Sequence, residues 1–590
     1  MDNISQDKLS INGSKFEYNI AQNLQNSKEP IFEEKNEQNV SLQYGPNDIP
    51  EWYKAIPLGF QQAMVCMAGL FVTPYIVSET VCAGDKSSEL RAKLISTAFV
   101  ISGIATILQC FLGIRLANLQ GPSFGFFGSL YAFASLPEMK CNSNANEHVS
   151  DEDYLNKLRM IQGSLICASF IPMILGTTGL IGVIARRVGP ITICPVLMLL
   201  ALDNVGSVVD KAQTHWISLV QFVLMGSFAT FFSEFQFPLP YFKHGKIHFA
   251  RYRLLGQFPY LFSIIISYTV AAILSGTNAE PKEGPARIDK QAAIDVLTKS
   301  PWFQVPYPGQ FGMPKFHLGL FIVMVVIFLA NAVEAIGGYH VLAEISGEKP
   351  PPSFMINRAV FFEGFGSLLS GLTGLGVGLT AYSENVAAVS ITRVASRFVM
   401  LTCGILLIAL GLFTKFAAIL ATIPDPIIGG LLGTSMCLIF GVAITNLQTV
   451  DLKLSRNLTI IGIAVMCGMY IPEYFSRYPV KTDSTEVNQT LSILLGIRMI
   501  IGGLIAFILD NLVPGATLKQ RGFHIPLRSD GEQSQITFRK EAYDYPTPVN
   551  RILLKIPLIS KLPFMPSTER LKSTLNYDNV VQPVNDMYRI

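Results

Sequence analysis

Apolar residues along this chain arrive in long, nearly charge-free runs. The segments 58–78, 94–114, 161–184, 254–275, 317–333, 398–422 and 491–509 are each long enough, alone or with their flanks, for the roughly 20 residues an α-helix needs to cross a bilayer. Shorter apolar stretches broken by Gly and Pro lie between them, and the pattern predicts an all-α polytopic membrane protein of about 14 transmembrane segments. The ends differ from the middle. Residues 1–52 are polar and rich in Asn, Gln, Ser and Glu, which predicts a disordered tail. Residues 513–590 form a second polar tail whose one apolar patch, Ile552–Ile559, is too short to span and suits an amphipathic or docking segment. The first apolar stretch begins near Ile56, so no signal peptide is expected.

Composition sharpens this. Of 590 residues, 50% are hydrophobic and 15% charged, with a mean hydropathy of +0.39, against roughly a quarter charged in soluble domains. The net charge of +3 is small and spread out, so nucleic acid is not an expected partner. The nine cysteines make no C-x-x-C pair and no Cys/His cluster, so neither a metal nor another cofactor is expected. Cys66, Cys110, Cys167, Cys194, Cys403, Cys437 and Cys467 fall in apolar segments as small packing residues. Cys82 and Cys141 lie in polar loops, and geometry decides whether they pair.

With the N-terminus inside, the even-numbered connections carry Arg115, Arg186, Arg187, Lys243, Lys246, Arg251, Arg253, Lys349, Arg358, Arg393, Arg397, Lys453 and Arg456. The odd-numbered connections carry the acid-rich loops Glu138–Asp153, Glu280–Asp295 and Glu473–Glu486. Lys and Arg set orientation, so both termini are expected in the cytoplasm. The sequon at Asn488 then falls outside, where N-glycosylation is expected; those at Asn3, Asn12, Asn39 and Asn457 fall inside. The expected organisation is a tail (1–52), a first seven-span repeat (53–276), an extracellular loop (277–315), a second seven-span repeat (316–512) and a tail (513–590), with the plasma membrane as the expected location.

Two segments resist reading as ordinary spans: Asn118–Phe127, with Gly121 and Pro122 at its centre, and the Gly-rich Gly374–Val386. Broken backbone at membrane depth survives only when buried in protein or lining a cavity. Gln120 lies 64 residues after Ile56, and Glu384 lies 66 after Leu318. Matching interruptions in two halves point to a transporter site. Seven spans per half make the second half insert inverted, with spans 3 and 10 broken. Independent Gly/Pro kinks are the alternative.

Two acids lie at that depth. Glu334 sits well inside the eighth span, where a carboxylate costs a few kcal/mol and marks a pathway or ion site by default; a structural Glu bonded to a neighbouring helix is the alternative. Glu384, directly before Asn385, either caps the half-helix that follows or meets a ligand at its free N–H groups. Two carboxylates and an amide suit a planar, heteroatom-rich solute, and either acid can take a proton or help hold Na⁺. Phe124 offers a stacking face, against plain packing. Gln61 and Gln62 are polar at depth and serve either the site or interhelical contact. His340, toward a helix end, reads as a satisfied interfacial histidine. Arg393, Arg397 and the pair Asn357-Arg358 read as cytoplasmic span ends.

The run from Glu384 to Arg393 resembles the signature of the nucleobase–ascorbate transporter family, (Gln/Glu/Pro)-Asn-x-Gly-x4-Thr-(Arg/Lys/Gly), with Thr392 and Arg393 at its end. Gln120–Phe124, Val333–Gly337, Pro350–Pro352, Ile356–Arg358, Asp425-Pro426 and Asp510–Gly515 resemble the family as well, and Ser300–Gln310 resembles its animal branch. The resemblance runs from Pro57 to Gly522. It implies a core domain (spans 1–4 and 8–11) moving against a gate domain (5–7 and 12–14), usually in a homodimer. It implies a substrate held by Glu334, Glu384, Asn385 and Phe124, with Ser383, Gln120 and Gln62 around them. Three residues depart from the pattern: Ala387 replaces the motif Gly, Gly338 stands where many members carry Asp or another polar group, and Gln62 replaces a frequent His. Ascorbate carriers of the family have Pro at the position of Glu384, so the resemblance implies a nucleobase such as uracil, xanthine or urate, carried by symport with Na⁺ or H⁺. An ascorbate carrier, a substrate sensor that no longer transports, and a channel are the other readings. No paired acid or His cluster at the water boundary suggests a membrane enzyme.

Overall fold

The computed structural model describes residues 42–136, 138–141, 151–243, 246–480, 482, 485–523, 543–545, 547–555 and 562–575. The chain enters along α1 (Trp52–Val65) and α2 (Met67–Thr80), one apolar path jogged at Cys66. It returns on α3 (Ser87–Phe111), passes through the strand β1 (Gln120–Pro122), and continues in α4 (Phe127–Ser135), α5 (Asp151–Thr178) and α6 (Leu180–Ala185). Next come α7 (Pro190–Asp203), α8 (Val205–Ala212), α9 (Ile217–Ala229), the hairpin β2 (Phe237–Lys243) and β3 (Lys246–Tyr252), α10 (Leu254–Gln257), α11 (Pro259–Gly276) and α12 (Gln291–Lys299).

The second half holds α13 (Leu318–Ile345), α14 (Ser353–Thr373), β4 (Leu379–Ala381), α15 (Ser383–Thr392), α16 (Arg397–Leu412), α17 (Thr414–Ala421) and α18 (Asp425–Thr445). It closes with α19 (Ser455–Arg477), α20 (Thr485–Gly496), α21 (Arg498–Leu512) and, in the tail, α22 (Thr547–Lys555). Among the described residues eight helical stretches are long and apolar enough to cross a membrane, and Phe124–Ala134, Ile217–Ala229 and Arg397–Leu412 are shorter apolar helices.

Several apolar runs that look continuous in sequence are broken. The run 398–422 divides at Phe413, because residues 302–304 reach in: Thr414 N donates to Trp302 O at 3.0 Å and Gln304 N to Leu412 O at 3.2 Å. The run 161–184 divides at Gly179, whose φ of 82° is left-handed and favours glycine. The fold is mostly helical, yet it contains two ribbons that apolar periodicity did not announce, β2–β3 and β1–β4.

One face of the bundle carries a disulfide between Cys82 and Cys141, with Cα atoms 5.6 Å apart. Beside it Lys211 Nζ lies 2.6 Å from Glu79 Oε1, and Arg91 reaches Glu79 at 3.3 Å and Asp425 at 3.2 Å. These contacts join α2 and α3 to α8 and α18.

The opposite face receives the described parts of both tails. Residues 1–41 of the expected disordered tail lie outside the described residues, but the stretch just after them is ordered: Tyr44 N donates to Arg393 O at 3.4 Å and Ala395 N to Tyr44 O at 2.8 Å. Asn357 and Arg358, expected at a cytoplasmic span end, are tied into the bundle and to the C-terminal tail. Arg358 is fully buried, its Nε donating to Gly113 O at 3.0 Å and its guanidinium lying 4.5 Å over the Tyr545 ring. Asn357 accepts from Gly182 N at 2.6 Å and donates to Pro563 O at 3.1 Å. Tyr543 donates to Lys349 O at 2.7 Å, and Phe564 stacks on Phe361 with ring centroids 5.6 Å apart. Within the apolar patch 552–559, residues 556–559 lie outside the described residues, and Ile552 is exposed on α22.

Candidate functional site

The two interrupted segments meet. β1 pairs antiparallel with β4, Gln120 opposite Ala381, Gly121 opposite Thr380 and Pro122 opposite Leu379. Each segment thus satisfies part of its buried backbone with the other, while the N–H groups of Gln120, Leu379 and Ala381 donate to side-chain oxygens of Thr106, Ser367 and Glu363, which is how non-helical backbone persists inside a membrane protein. Each strand then leads into a half-helix, β1 through Phe124–Phe126 into α4 and β4 into α15. Tyr382 locks the junction: its hydroxyl donates to Pro122 O at 3.0 Å and occupies the space a Cβ would take at Gly69, while its ring edge occupies that space at Gly121.

Glu384 lies in the first turn of α15, buried, with Ser383 buried beside it. Glu334 is buried on α13, within electrostatic reach of Glu384, and its Oε2 has no hydrogen-bond partner among the described residues. One turn earlier Asn331 donates to Ser123 Oγ at 3.0 Å, tying α13 to the first break. Phe124 packs edge-on against Phe127 at 5.5 Å and tilted against Tyr382 at 6.4 Å.

The amides turn inward on the scaffold. Asn385 Nδ2 donates to Gln62 Oε1 at 2.9 Å while its Oδ1 accepts from Leu119 N at 3.1 Å, so one side chain links α1, the approach to β1, and α15. Gln120 Nε2 donates to Asn118 Oδ1 at 2.6 Å, and Gln61 is buried. Thr392 and Arg393 lie at the far end of α15, where Thr392 Oγ1 donates to Ala388 O at 2.8 Å and Arg393 ends the helix at φ 58°. Ala387 is partly exposed between the two ends. Gly338, one turn after Glu334, faces open space: a Cβ there would meet nothing within 4 Å. His340 Nδ1 lies 2.8 Å from Ile336 O. Asn488 lies in α20, its amide spanning Thr482, to whose carbonyl it donates at 2.9 Å and whose N–H it accepts from at 2.6 Å.

A third buried acid completes the arrangement, and sequence reading missed it. Glu363 on α14 accepts from Tyr339 Oη at 2.7 Å and from Ala381 N at 3.1 Å, and Gln109 Nε2 donates to the same tyrosine oxygen at 2.6 Å. Glu363 therefore holds β4 and α13 together behind the break. The signal was present in Phe361-Phe-Glu-Gly-Phe365, an acid framed by apolar residues at span depth. No group of three or more His, Cys, Asp or Glu among the described residues is placed to hold a metal ion.

Membrane-length helices packed around two paired breaks, with buried carboxylates facing them, form the architecture of a solute transporter. Comparison with known proteins agrees: the model of the Permease family matches residues 53–476. Solute carrier family 23 member 2 of Mus musculus is 34% identical over 543 residues, covering 90% of this chain and 83% of that protein. Solute carrier family 23 member 1 of Mus musculus is 33% identical over 527 residues, covering 86% of each. Nucleobase-ascorbate transporter 11 of Arabidopsis thaliana is 27% identical over 535 residues, covering 85% of this chain and 74% of that protein. The chain belongs to the nucleobase–ascorbate transporter family, in its animal branch. It is a multi-pass membrane transporter of small molecules and not an enzyme.

Proposed function

We propose that this chain is a secondary active carrier of a nucleobase of the uracil, xanthine or urate type, moved by symport with Na⁺ or H⁺. The observation that carries the reading is the unpartnered Oε2 of buried Glu334, among the described residues, with the second buried acid, Glu384, within electrostatic reach. A buried acceptor without a donor costs about 1–3 kcal/mol, more when charged, and a neutral base recovers that by presenting ring N–H donors. An anionic solute brings further acceptors to two carboxylates and needs a cation or proton to offset them. Either carboxylate can supply that link by taking up a proton or seating Na⁺, which ties solute to ion.

In this reading the helices form fourteen segments in a seven-plus-seven inverted repeat. The antiparallel pairing of β1 with β4, each followed by its half-helix, supports that symmetry. The core, α1–α6 with α13–α17, slides in an elevator-like step against the gate, α7–α11 with α18–α21. A homodimer in the plasma membrane with both termini in the cytoplasm, glycosylated at Asn488, completes the proposal.

The test is uptake of radiolabelled uracil, xanthine, urate and ascorbate into cells displaying the chain, with and without Na⁺ and at two pH values. Concentrative uptake of a base, lost in Glu334→Ala at equal surface expression, is the expected result. Uptake of ascorbate alone replaces the nucleobase with ascorbate. Binding without accumulation makes the chain a sensor of the same fold.

A further inference from the structure

On the face that receives the tails the bundle holds a cavity of about 550 Å³. Its walls come from both sets of helices: Gly337, His340 and Glu344 of α13 and Ser390 of α15 on one side, Ile193 of α7 and Thr445 of α18 on the other. Gly337, His340 and Glu344 fall on one face of α13, at the three- and four-residue steps that bring side chains into register along a helix. The same helix carries Glu334 one turn further in, and α15 carries Glu384 six residues before Ser390. The cavity therefore runs along the two helices that bear the buried acids, one turn short of Glu334.

What stands at that turn is a tight contact. A Cβ built on Gly337 would lie 2.8 Å from Ile193 Cγ2 and 2.9 Å from Ile193 Cδ1, so the two helices touch there with only a glycine on one side. Ile193 is almost fully buried, although it also borders the cavity. One residue along, Gly338 faces open space. The backbone of α13 is thus pressed against a single branched side chain at Gly337 and free of contact at Gly338.

We propose that Ile193 and Gly337 form the constriction between the buried acids Glu334 and Glu384 and this cavity, and that the bulk of Ile193 sets the size of solute that passes. The inference rests on the reading of the chain as a carrier for its consequence, selection by size, but not for its geometry. Withdrawing three side-chain carbons in Ile193→Ala opens the contact, Ile193→Val opens it partly, and Gly337→Ala closes it by setting a methyl against the Ile193 side chain.

Two arms test it in the full-length protein. The first needs no substrate. Ser383→Cys places a thiol at the buried position beside Glu384 and Ser390→Cys one on the cavity wall, and each is labelled with a small methanethiosulfonate and with a bulky fluorescent maleimide, read at that position by peptide mass spectrometry. Ser390→Cys is expected to react with both reagents at rates that Ile193→Ala leaves unchanged. Ser383→Cys is expected to react with the maleimide about tenfold faster once Ile193→Ala is added, with Ile193→Val between. Equal Ser383→Cys rates in all three backgrounds overturn the constriction, as does a wild-type Ser383→Cys rate matching that of Ser390→Cys. The second arm measures the ratio of urate to uracil flux, expected to rise about threefold in Ile193→Ala. An unchanged ratio overturns the size-selection claim. Absence of all flux in the wild type refutes the carrier reading, while the labelling arm still decides the constriction.

Discussion

Two charge clusters lie at opposite faces of the protein and are built differently. On the disulfide face Glu79, Arg91, Lys211 and Asp425 join four helices, and the two acids remain 42% exposed. On the tail face Asp510 is wholly buried on α21, holding Arg456 at 3.1 Å and Arg521 at 2.9 Å; Arg456 belongs to α19, and Arg521 follows α21. The first cluster joins elements that the proposed movement separates, while the second joins elements that travel together. Arg91 and Lys211 are largely buried, but their carboxylate partners keep contact with water, so these pairs are weaker than wholly buried ones and are screened by salt; contacts of this kind can break and reform in every cycle. Losing one partner of a buried pair costs about 3–5 kcal/mol, which suits a permanent joint. The disulfide face is thus closed by reversible contacts while the opposite face is hollow beneath Gly337.

The largest effect is expected at the permanent joint. Asp510→Ala leaves two guanidiniums without their shared carboxylate and should lower stability by about 3–5 kcal/mol. A thermal midpoint in detergent that falls steeply, and falls less in Asp510→Asn, would bear this out; an unchanged midpoint would remove the distinction between the clusters. Next is the scaffold behind the breaks. Glu363→Leu strands the Tyr339 hydroxyl and the Ala381 N–H, an expected loss of about 1–3 kcal/mol. Uptake should fall further than stability, because β4 positions Glu384; equal uptake per folded molecule would show that Glu363 only stabilises.

The smallest stability effect belongs to the reversible cluster. Lys211 is buried while its partner Glu79 is half-exposed, so Lys211→Met, which keeps the aliphatic stem, should lower the midpoint by less than Asp510→Ala does. It should nevertheless expose Ser383→Cys to a membrane-impermeant thiol reagent applied at the disulfide face. The charge exchange Glu79→Lys with Lys211→Glu should restore protection, and raised ionic strength should mimic Lys211→Met without touching the Asp510 joint. Protection unaffected by Lys211→Met would mean that the cluster does not hold this face closed.

Hydropathy located most spans, and two features it leaves unexplained, the Gly/Pro interruption at 118–127 and the Gly-rich run at 374–386, mark the place where β1 and β4 meet. Glu334 and Glu384 were legible for a simple physical reason: an acid in an apolar run is costly and demands an explanation. Glu363 escaped because α14 carries several polar residues and reads as a weak span, and Arg358 was legible only as a span end, not as a buried residue. Their partners are remote: Glu363 meets Tyr339 and Ala381, and Arg358 meets Gly113 and Tyr545. The same holds for Asn385, whose amide looks like a ligand group in sequence yet bonds to Gln62 and the Leu119 backbone once the chain folds. Pairings between distant segments, the Cys82–Cys141 bridge included, follow from tertiary geometry and have no local signature.

The central claim is that solute binds where the two interrupted segments meet, against Glu334. Its most direct test is equilibrium binding of radiolabelled uracil, xanthine, urate and ascorbate to the purified full-length protein and to Glu334→Ala, by scintillation proximity with and without Na⁺. The expected result is saturable binding of at least one base, weakened by about tenfold or more in Glu334→Ala at an unchanged thermal midpoint. Equal affinity in the two proteins would place the solute elsewhere and contradict the account.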